Sequence, residues 1–136
     1  MNVVVEQACF EKLEVLIDFI KDIAIKNNFN EAETLDIVLA TEEILVNIIS
    51  YAYPKLKGEI KIECDYIPNS NQLIIIFTDD GIKFDVMGVD EPDIDTPLED
   101  RKIGGMGVFL VRNVMDNVHY IRKNKQNILT ISKFNS

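Results

Sequence analysis

A carboxylate and an amide lie one helical turn apart in an otherwise apolar segment of the chain. Asn47 stands within the run Ile44-Leu45-Val46-Asn47-Ile48-Ile49, so its amide is expected to be buried and to need hydrogen-bond partners. Glu43 precedes it by four residues and therefore shares its helix face. Their oxygens are hard ligands of the kind that Mg²⁺ prefers. Taken alone, this short pattern is better explained by an amide bonded to nearby backbone and a Glu paired with a lysine.

A second candidate is an acidic turn directly after an apolar run, in Phe77-Thr78-Asp79-Asp80-Gly81. A carboxylate there could accept a hydrogen bond from the exocyclic amine of a ligand. Gly81 would let the backbone approach a planar ring closely. Taken alone, the segment is better explained as an ordinary acidic turn.

A third candidate is the glycine-rich segment Gly104-Gly105-Met106-Gly107, which leads into an apolar helix. Unobstructed backbone N–H groups at a helix N-terminus can hold phosphate oxygens, because the helix dipole is positive there. A flexible loop end would look the same, and the Lys-Ser/Thr pair of a Walker loop is missing. The three candidates together predict a nucleotide site with a magnesium-holding helix face, an adenine-reading turn and a phosphate-binding loop.

The elements that must position these residues follow from hydrophobic periodicity. The pattern predicts strands near 3–5, 60–64, 73–77, 118–120 and 128–131, and helices near 10–24, 31–53 and 105–115. Asn30 is the expected N-cap of the second helix. There are no repeats or linkers, so one domain is expected over residues 1–136.

Composition excludes several classes of function. The 136 residues carry a net charge of −9, which argues against direct binding of nucleic acid. Seven carboxylates and no Lys or Arg lie between Asp85 and Asp100.

Cys9 and Cys64 have no paired spacing, so neither a disulfide framework nor a zinc site is expected. No signal peptide or membrane-spanning run is seen, and a cytoplasmic protein is expected. His119, the single histidine, is interpreted as a strand residue rather than a catalytic one.

In their order and spacing, the three motifs resemble the N, G1 and G2 boxes of the GHKL (Bergerat-fold, HATPase_c) ATP-binding superfamily. The similarity runs from about Ala40 to Asp116. Within the superfamily the motifs are most similar to the RsbW-type anti-sigma-factor serine kinases, and Phe84-Asp85 after the G1 glycine is typical of that branch. The resemblance implies an α+β two-layer sandwich, with a mixed, mostly antiparallel sheet packed on about three helices. It also implies an ATP lid over about residues 82–104.

The resemblance further implies ATP and Mg²⁺ as cofactors and a role for each motif. Asn47 would hold Mg²⁺, and Glu43 would be the general base. Asp79 would bind the adenine amine and Gly81 would shape that pocket. The phosphates would be bound by Gly104, Gly105, Met106 and Gly107.

Two positions depart from the superfamily pattern. Lys83 stands where a second glycine often follows Gly81, and Tyr51 replaces the His that is common one turn after Asn47. Neither change removes an expected ligand.

The implied activity is phosphoryl transfer from ATP to a Ser or Thr of a STAS-type anti-sigma antagonist, by a protein that also sequesters a sigma factor. No direct nucleic-acid or membrane partner is expected, and a homodimer is left open. The alternative is a nucleotide-gated binding module with little or no kinase activity; the presence of Glu43 favours the kinase. A sensor histidine kinase is disfavoured, because it needs a phosphoacceptor histidine on a helical hairpin.

Repulsion from a triphosphate predicts that the acidic residues 90–100 face solvent or a partner and are poorly ordered without nucleotide.

Overall fold

The computed structural model describes residues 1–54, 57–85 and 105–136, apart from the side chains of Gly105 and Met106. Within these ranges the chain forms five strands and three α-helices. The strands are β1 (Asn2–Gln7), β2 (Glu59–Ile67), β3 (Gln72–Asp79), β4 (Asn117–Lys123) and β5 (Gln126–Phe134). The helices are α1 (Leu13–Lys26), α2 (Glu31–Tyr51) and α3 (Gly105–Val114), with short 3-10 turns at Phe10–Lys12 and Pro68–Ser70.

The strands form one sheet in the order β1-β2-β3-β5-β4, and each described pair of neighbours is antiparallel. Alternation along β2 buries Ile60, Ile62 and Cys64 and leaves the residues between them more exposed. These side chains join the apolar residues of the helices in one core, to which α2 contributes Ile37, Ile44, Leu45 and Ile48. The expected two-layer α+β arrangement is confirmed.

Helix α2 begins where the sequence predicts. The Asn30 side chain accepts a hydrogen bond from the Glu33 N–H at 2.8 Å, and Glu33 accepts one in return from the Asn30 N–H at 2.9 Å. This reciprocal capping box satisfies two backbone donors at the helix start. The helix ends at Tyr51, two residues before the expected boundary, because Pro54 disfavours helical geometry in the residue before it.

The closing hairpin determines which residues stand beside the acidic turn. Asn124 and Lys125 have φ of 52° and 64°, which makes a tight connection between Lys123 and Gln126. In the pairing of β5 with its other neighbour, β3, Asn127 lies opposite Asp79. In the part of the chain that the structure describes, no helix has the length and apolarity needed to cross a bilayer.

Candidate functional site

Glu43 and Asn47 meet on one face of α2, as their spacing predicts. The Asn47 side chain is only 5% exposed, and its Nδ2 donates a hydrogen bond to Glu43 Oε1 at 3.3 Å. A carboxylate can only accept, so the amide nitrogen must face Glu43. The amide oxygen is thereby turned away from Glu43. The alternative of a Glu paired with a lysine is not seen among the described residues.

The first turn of α3 packs directly on this pair. A Cβ placed on Gly107 would overlap the Glu43 carboxylate, both its carbon and Oε1. Glycine at this position therefore allows the Glu43 carboxylate to lie against the backbone of α3 in this rotamer. The backbone N–H groups at the start of a helix lack intrahelical acceptors and carry partial positive charge. The contact brings that charge beside the carboxylate and the amide.

The carboxylate of Asp79 is held in a fixed orientation at the end of β3. It is 4% exposed, and its Oδ1 accepts hydrogen bonds from the Gly81 N–H and from Asn127 Nδ2, both at 2.9 Å. Burial raises the pKa of Asp79 above its ordinary value, and these two bonds together with the charge of Arg122 oppose that rise. Among the described residues no donor reaches Oδ2, which leaves that oxygen for a ligand.

Gly81 is required by its neighbour on α2. A Cβ at this position would overlap the backbone carbonyl of Ala52, and the Ile82 N–H donates to the same carbonyl at 2.9 Å. The acidic turn is thus fastened to the C-terminal end of α2. The approach of Gly81 to a planar ligand stays a prediction.

Tyr53 also holds the acidic turn in place, a role that its sequence position does not predict. Its hydroxyl accepts a hydrogen bond from the Asp80 N–H at 2.9 Å and donates one to the Glu59 carbonyl at 2.7 Å. Gly58 lies against the Tyr53 ring so closely that any side chain there would collide with it. The ring of Tyr51, which stands where the superfamily pattern commonly has His, lies 5.4 Å from the ring of Phe84.

The two halves of the site share one scaffold. Glu43 and Asn47 lie near the middle of α2, and the start of α3 packs against them. The acidic turn with Asp79 and Gly81 contacts Ala52, just after the end of the same helix. Ala52 comes nine residues after Glu43, or about 13 Å further along the helix axis. This arrangement places a carboxylate acceptor near the end of α2 and a helix N-terminus beside its middle, as an elongated ligand with a polar ring and an anionic group would require.

Asn127 is a buried polar residue beside Asp79 that the sequence motifs do not predict. It is 3% exposed and hydrogen-bonded to Asp79, Ile82, Phe84, Tyr120 and Arg122. In the sequence it reads only as a polar residue at the start of a strand. The signal that could have found it is the pairing of its strand with β3.

Several expectations fall outside the described residues. Gly104, the side chain of Met106, the acidic residues 90–100 and all of the expected lid beyond Asp85, up to Gly104, are among them. Gly105 begins α3, as expected. His119 lies exposed on β4, which agrees with its interpretation as a strand residue. Cys9 and Cys64 are free thiols.

Comparisons with known proteins agree with these features. The family model for the histidine kinase-like ATPase domain matches residues 7–133. The chain is 30% identical over 98 residues to a protein of Bacillus cereus (strain AH820) named serine-protein kinase RsbW, covering 69% of this chain and 60% of that protein. It is 27% identical over 111 residues to the protein of the same name from Bacillus cereus (strain AH187), covering 79% and 68%. The chain therefore spans about three fifths of the length of the first of these relatives.

The fold is shared with a solved protein of another kind. The blue-light activated histidine kinase of Erythrobacter litoralis EL346 superposes with a TM-score of 0.57 at 17% identity, covering 78% of this chain and 31% of that one. At this level of identity the likeness concerns the fold alone. The predicted resemblance to the GHKL superfamily is confirmed by the match to the domain family and by this shared architecture.

Proposed function

The chain belongs to the family of histidine kinase-like ATPase domains, and from that premise we propose that it is an ATP- and Mg²⁺-dependent serine/threonine protein kinase. One observation carries the proposal: the helix start at Gly107 packs on Glu43, whose carboxylate accepts a bond from Asn47. A base, an amide and a phosphate-binding helix end are thereby assembled in one place. Phosphoryl transfer needs positioning and neutralisation of charge, and this arrangement supplies both.

The nucleotide would lie along α2. Its adenine amine would donate to Asp79 Oδ2, and its phosphates would bind at the N-terminus of α3, contributed by Gly104, Gly105, Met106 and Gly107. Asp79 suits this role because its other oxygen is already saturated by two donors. A buried carboxylate with one free oxygen is a selective acceptor for an amine.

The chemistry of the donors fits Mg²⁺ shared with phosphates. Asn47 Oδ1 faces away from Glu43 and is a hard oxygen ligand. Among the described residues no group of three or more His, Cys, Asp or Glu side chains could hold a metal ion. Mg²⁺ binds commonly through one or two protein oxygens with phosphate oxygens completing its shell. When bound, it would neutralise charge on the phosphates that are transferred.

Glu43 would act as the general base. It is half-buried, and the hydrogen bond from Asn47 fixes one of its oxygens, so the other can accept the proton of an attacking hydroxyl. A positioned base of this kind contributes about 10²- to 10⁴-fold to rate.

The similarity to proteins named serine-protein kinase RsbW supports a regulatory partner set. We propose a STAS-type anti-sigma antagonist as phosphoacceptor, a sigma factor as the protein held inactive, and the cytoplasm as the place of action. A homodimer is compatible with this role.

The test is transfer of labelled phosphate. The protein is incubated with Mg²⁺, ATP labelled in the γ position and a STAS protein encoded near its gene, and compared with Glu43→Ala. Label on a Ser or Thr of the acceptor, lost in the variant while ATP affinity is retained, supports the kinase. ATP binding without transfer in the unaltered protein would instead support the nucleotide-gated binding module.

A further inference from the structure

The amide of Asn127 has only one orientation compatible with its neighbours. Its Oδ1 accepts hydrogen bonds from the Tyr120 hydroxyl at 2.7 Å, from an Arg122 Nη1 at 3.1 Å and from the Phe84 N–H at 3.2 Å. Arg122 can only donate, and so can a backbone N–H. The oxygen must therefore face these groups, and the nitrogen must face the opposite side.

That opposite side is occupied by two acceptors. Asn127 Nδ2 donates to Asp79 Oδ1 at 2.9 Å and to the Ile82 carbonyl at 2.7 Å, which uses both of its N–H groups. Arg122 also donates to the Gly81 carbonyl at 2.8 Å. The closing hairpin thus supplies donors to the acidic turn, which Ala52 and Tyr53 also hold.

This arrangement determines what Asp79 offers to a ligand. Two donors saturate Oδ1, and hydrogen bonds to a carboxylate stabilise its ionised form. An ionised carboxylate whose single free oxygen is Oδ2 can accept a hydrogen bond but cannot donate one. A purine with an amine at position 6 satisfies that oxygen, whereas a purine with an oxo group there places two acceptors against each other.

We propose that Asn127 is a positioning residue that keeps Asp79 a pure hydrogen-bond acceptor and so selects 6-amino over 6-oxo purine nucleotides. The proposal rests on the nucleotide site proposed above. The same amide holds Ile82 and Phe84, so purine selection and the conformation of the chain just after the acidic turn depend on one side chain.

The test compares ATP with inosine triphosphate, which differs from it by an oxo group in place of the 6-amine. Affinities for both are measured by calorimetry for the unaltered protein and for Asn127→Asp, which keeps the shape but replaces the donor by an oxygen. The new carboxylate faces Asp79 in place of a donor, so repulsion raises the pKa of Asp79, and a proton taken up on its Oδ2 can donate to a 6-oxo group. We expect the unaltered protein to favour ATP by at least about tenfold, which equals about 1.4 kcal/mol, and the variant to favour it by less than about threefold.

Asn117→Asp is the matched control. It introduces the same change at the far end of the same hairpin, where the Asn117 amide donates to Ser132 at 3.1 Å, and it should retain the full preference. Asn127→Ala is a second variant, which removes the donor to Asp79 Oδ1 and adds no charge. It should lower the preference even if Asn127→Asp fails to fold.

The outcomes separate this inference from the proposed function. If the unaltered protein binds no ATP, the proposed function fails. The inference alone is overturned if the unaltered protein binds ATP and inosine triphosphate equally. It is also overturned if folded Asn127→Asp or, should that variant not fold, Asn127→Ala retains the full preference. A purely structural role for Asn127 would lower both affinities alike and leave their ratio unchanged.

Discussion

The contact between Gly107 and Glu43 predicts a substitution with a small effect on stability and a large one on activity. In Gly107→Ala the added methyl group occupies the space of the Glu43 carboxylate. Glu43 has a flexible side chain and can leave by changing rotamer, but it then loses the 3.3 Å hydrogen bond from Asn47. The base that the kinase mechanism requires would be displaced from the start of α3.

Three contributions determine the change in the free energy of unfolding that Gly107→Ala is expected to cause. Loss of the hydrogen bond costs about 0.5–1.5 kcal/mol, and a disfavoured rotamer costs a similar amount. Replacing glycine by alanine within a helix returns about 0.5–1 kcal/mol. The free energy of unfolding should therefore fall by only about 1 kcal/mol. Phosphoryl transfer should fall by at least about 100-fold, because a misplaced catalytic group costs that much.

A double-mutant cycle isolates the contact. In a Glu43→Ala background the methyl group of Gly107→Ala meets no carboxylate, so this substitution should stabilise the protein by about 0.5–1 kcal/mol through helix propensity alone. The two backgrounds should thus differ by about 1–2 kcal/mol in urea unfolding, which exceeds the error of additivity for independent sites. An equal effect of Gly107→Ala in both backgrounds would refute the contact.

Three further predictions concern the groups that support the site. Burial raises the pKa of Asp79 above 3.8. Between the pKa of the unfolded state, about 4, and the higher pKa of the folded state, the folded protein therefore binds more protons. The free energy of unfolding accordingly falls as pH rises through this window. Asp79→Asn should remove this decline, seen as a smaller difference between urea unfolding at pH 5 and pH 8; an unchanged difference would contradict the assignment. Tyr53→Phe should lower the free energy of unfolding by about 1–2 kcal/mol, because it removes bonds of 2.9 and 2.7 Å. Tyr66→Phe removes two longer bonds, one donated to Asn71 over 3.4 Å and one accepted from Asn135 at 3.1 Å, and should cost less; an equal cost would argue against the role of Tyr53. Asn30→Ala should cost about 1 kcal/mol in thermal or urea unfolding through loss of the cap, with ATP affinity unchanged; no loss of stability would contradict the capping box.

Local features of the fold were predictable from the sequence because local residues cause them. Asn30 with Glu33 specifies the start of α2, and the glycine-rich segment leads into α3 as expected. The shared face of Glu43 and Asn47 follows from the geometry of one helix. Such features need no knowledge of how distant elements pack.

The contacts that complete the site were not predictable in this way. Asn127 meets Asp79 because β5 pairs with β3 in one register, and that register depends on the whole sheet. Gly107 meets Glu43 because α3 packs on α2, and nothing in either segment alone specifies the approach. Tyr53 reads as the end of a helix, whereas its hydroxyl bridges two other segments.

The central claim is that the residues around α2 form a nucleotide site in which Asp79 reads the base, and calorimetric titration with ATP in the presence of Mg²⁺ tests it most directly. The account predicts that the unaltered protein binds ATP, that Asp79→Asn remains folded and binds it at least about tenfold more weakly, a loss of about 1.4 kcal/mol, and that chelating Mg²⁺ also weakens binding. An unchanged affinity in folded Asp79→Asn would contradict it, and so would the absence of any ATP binding by the unaltered protein.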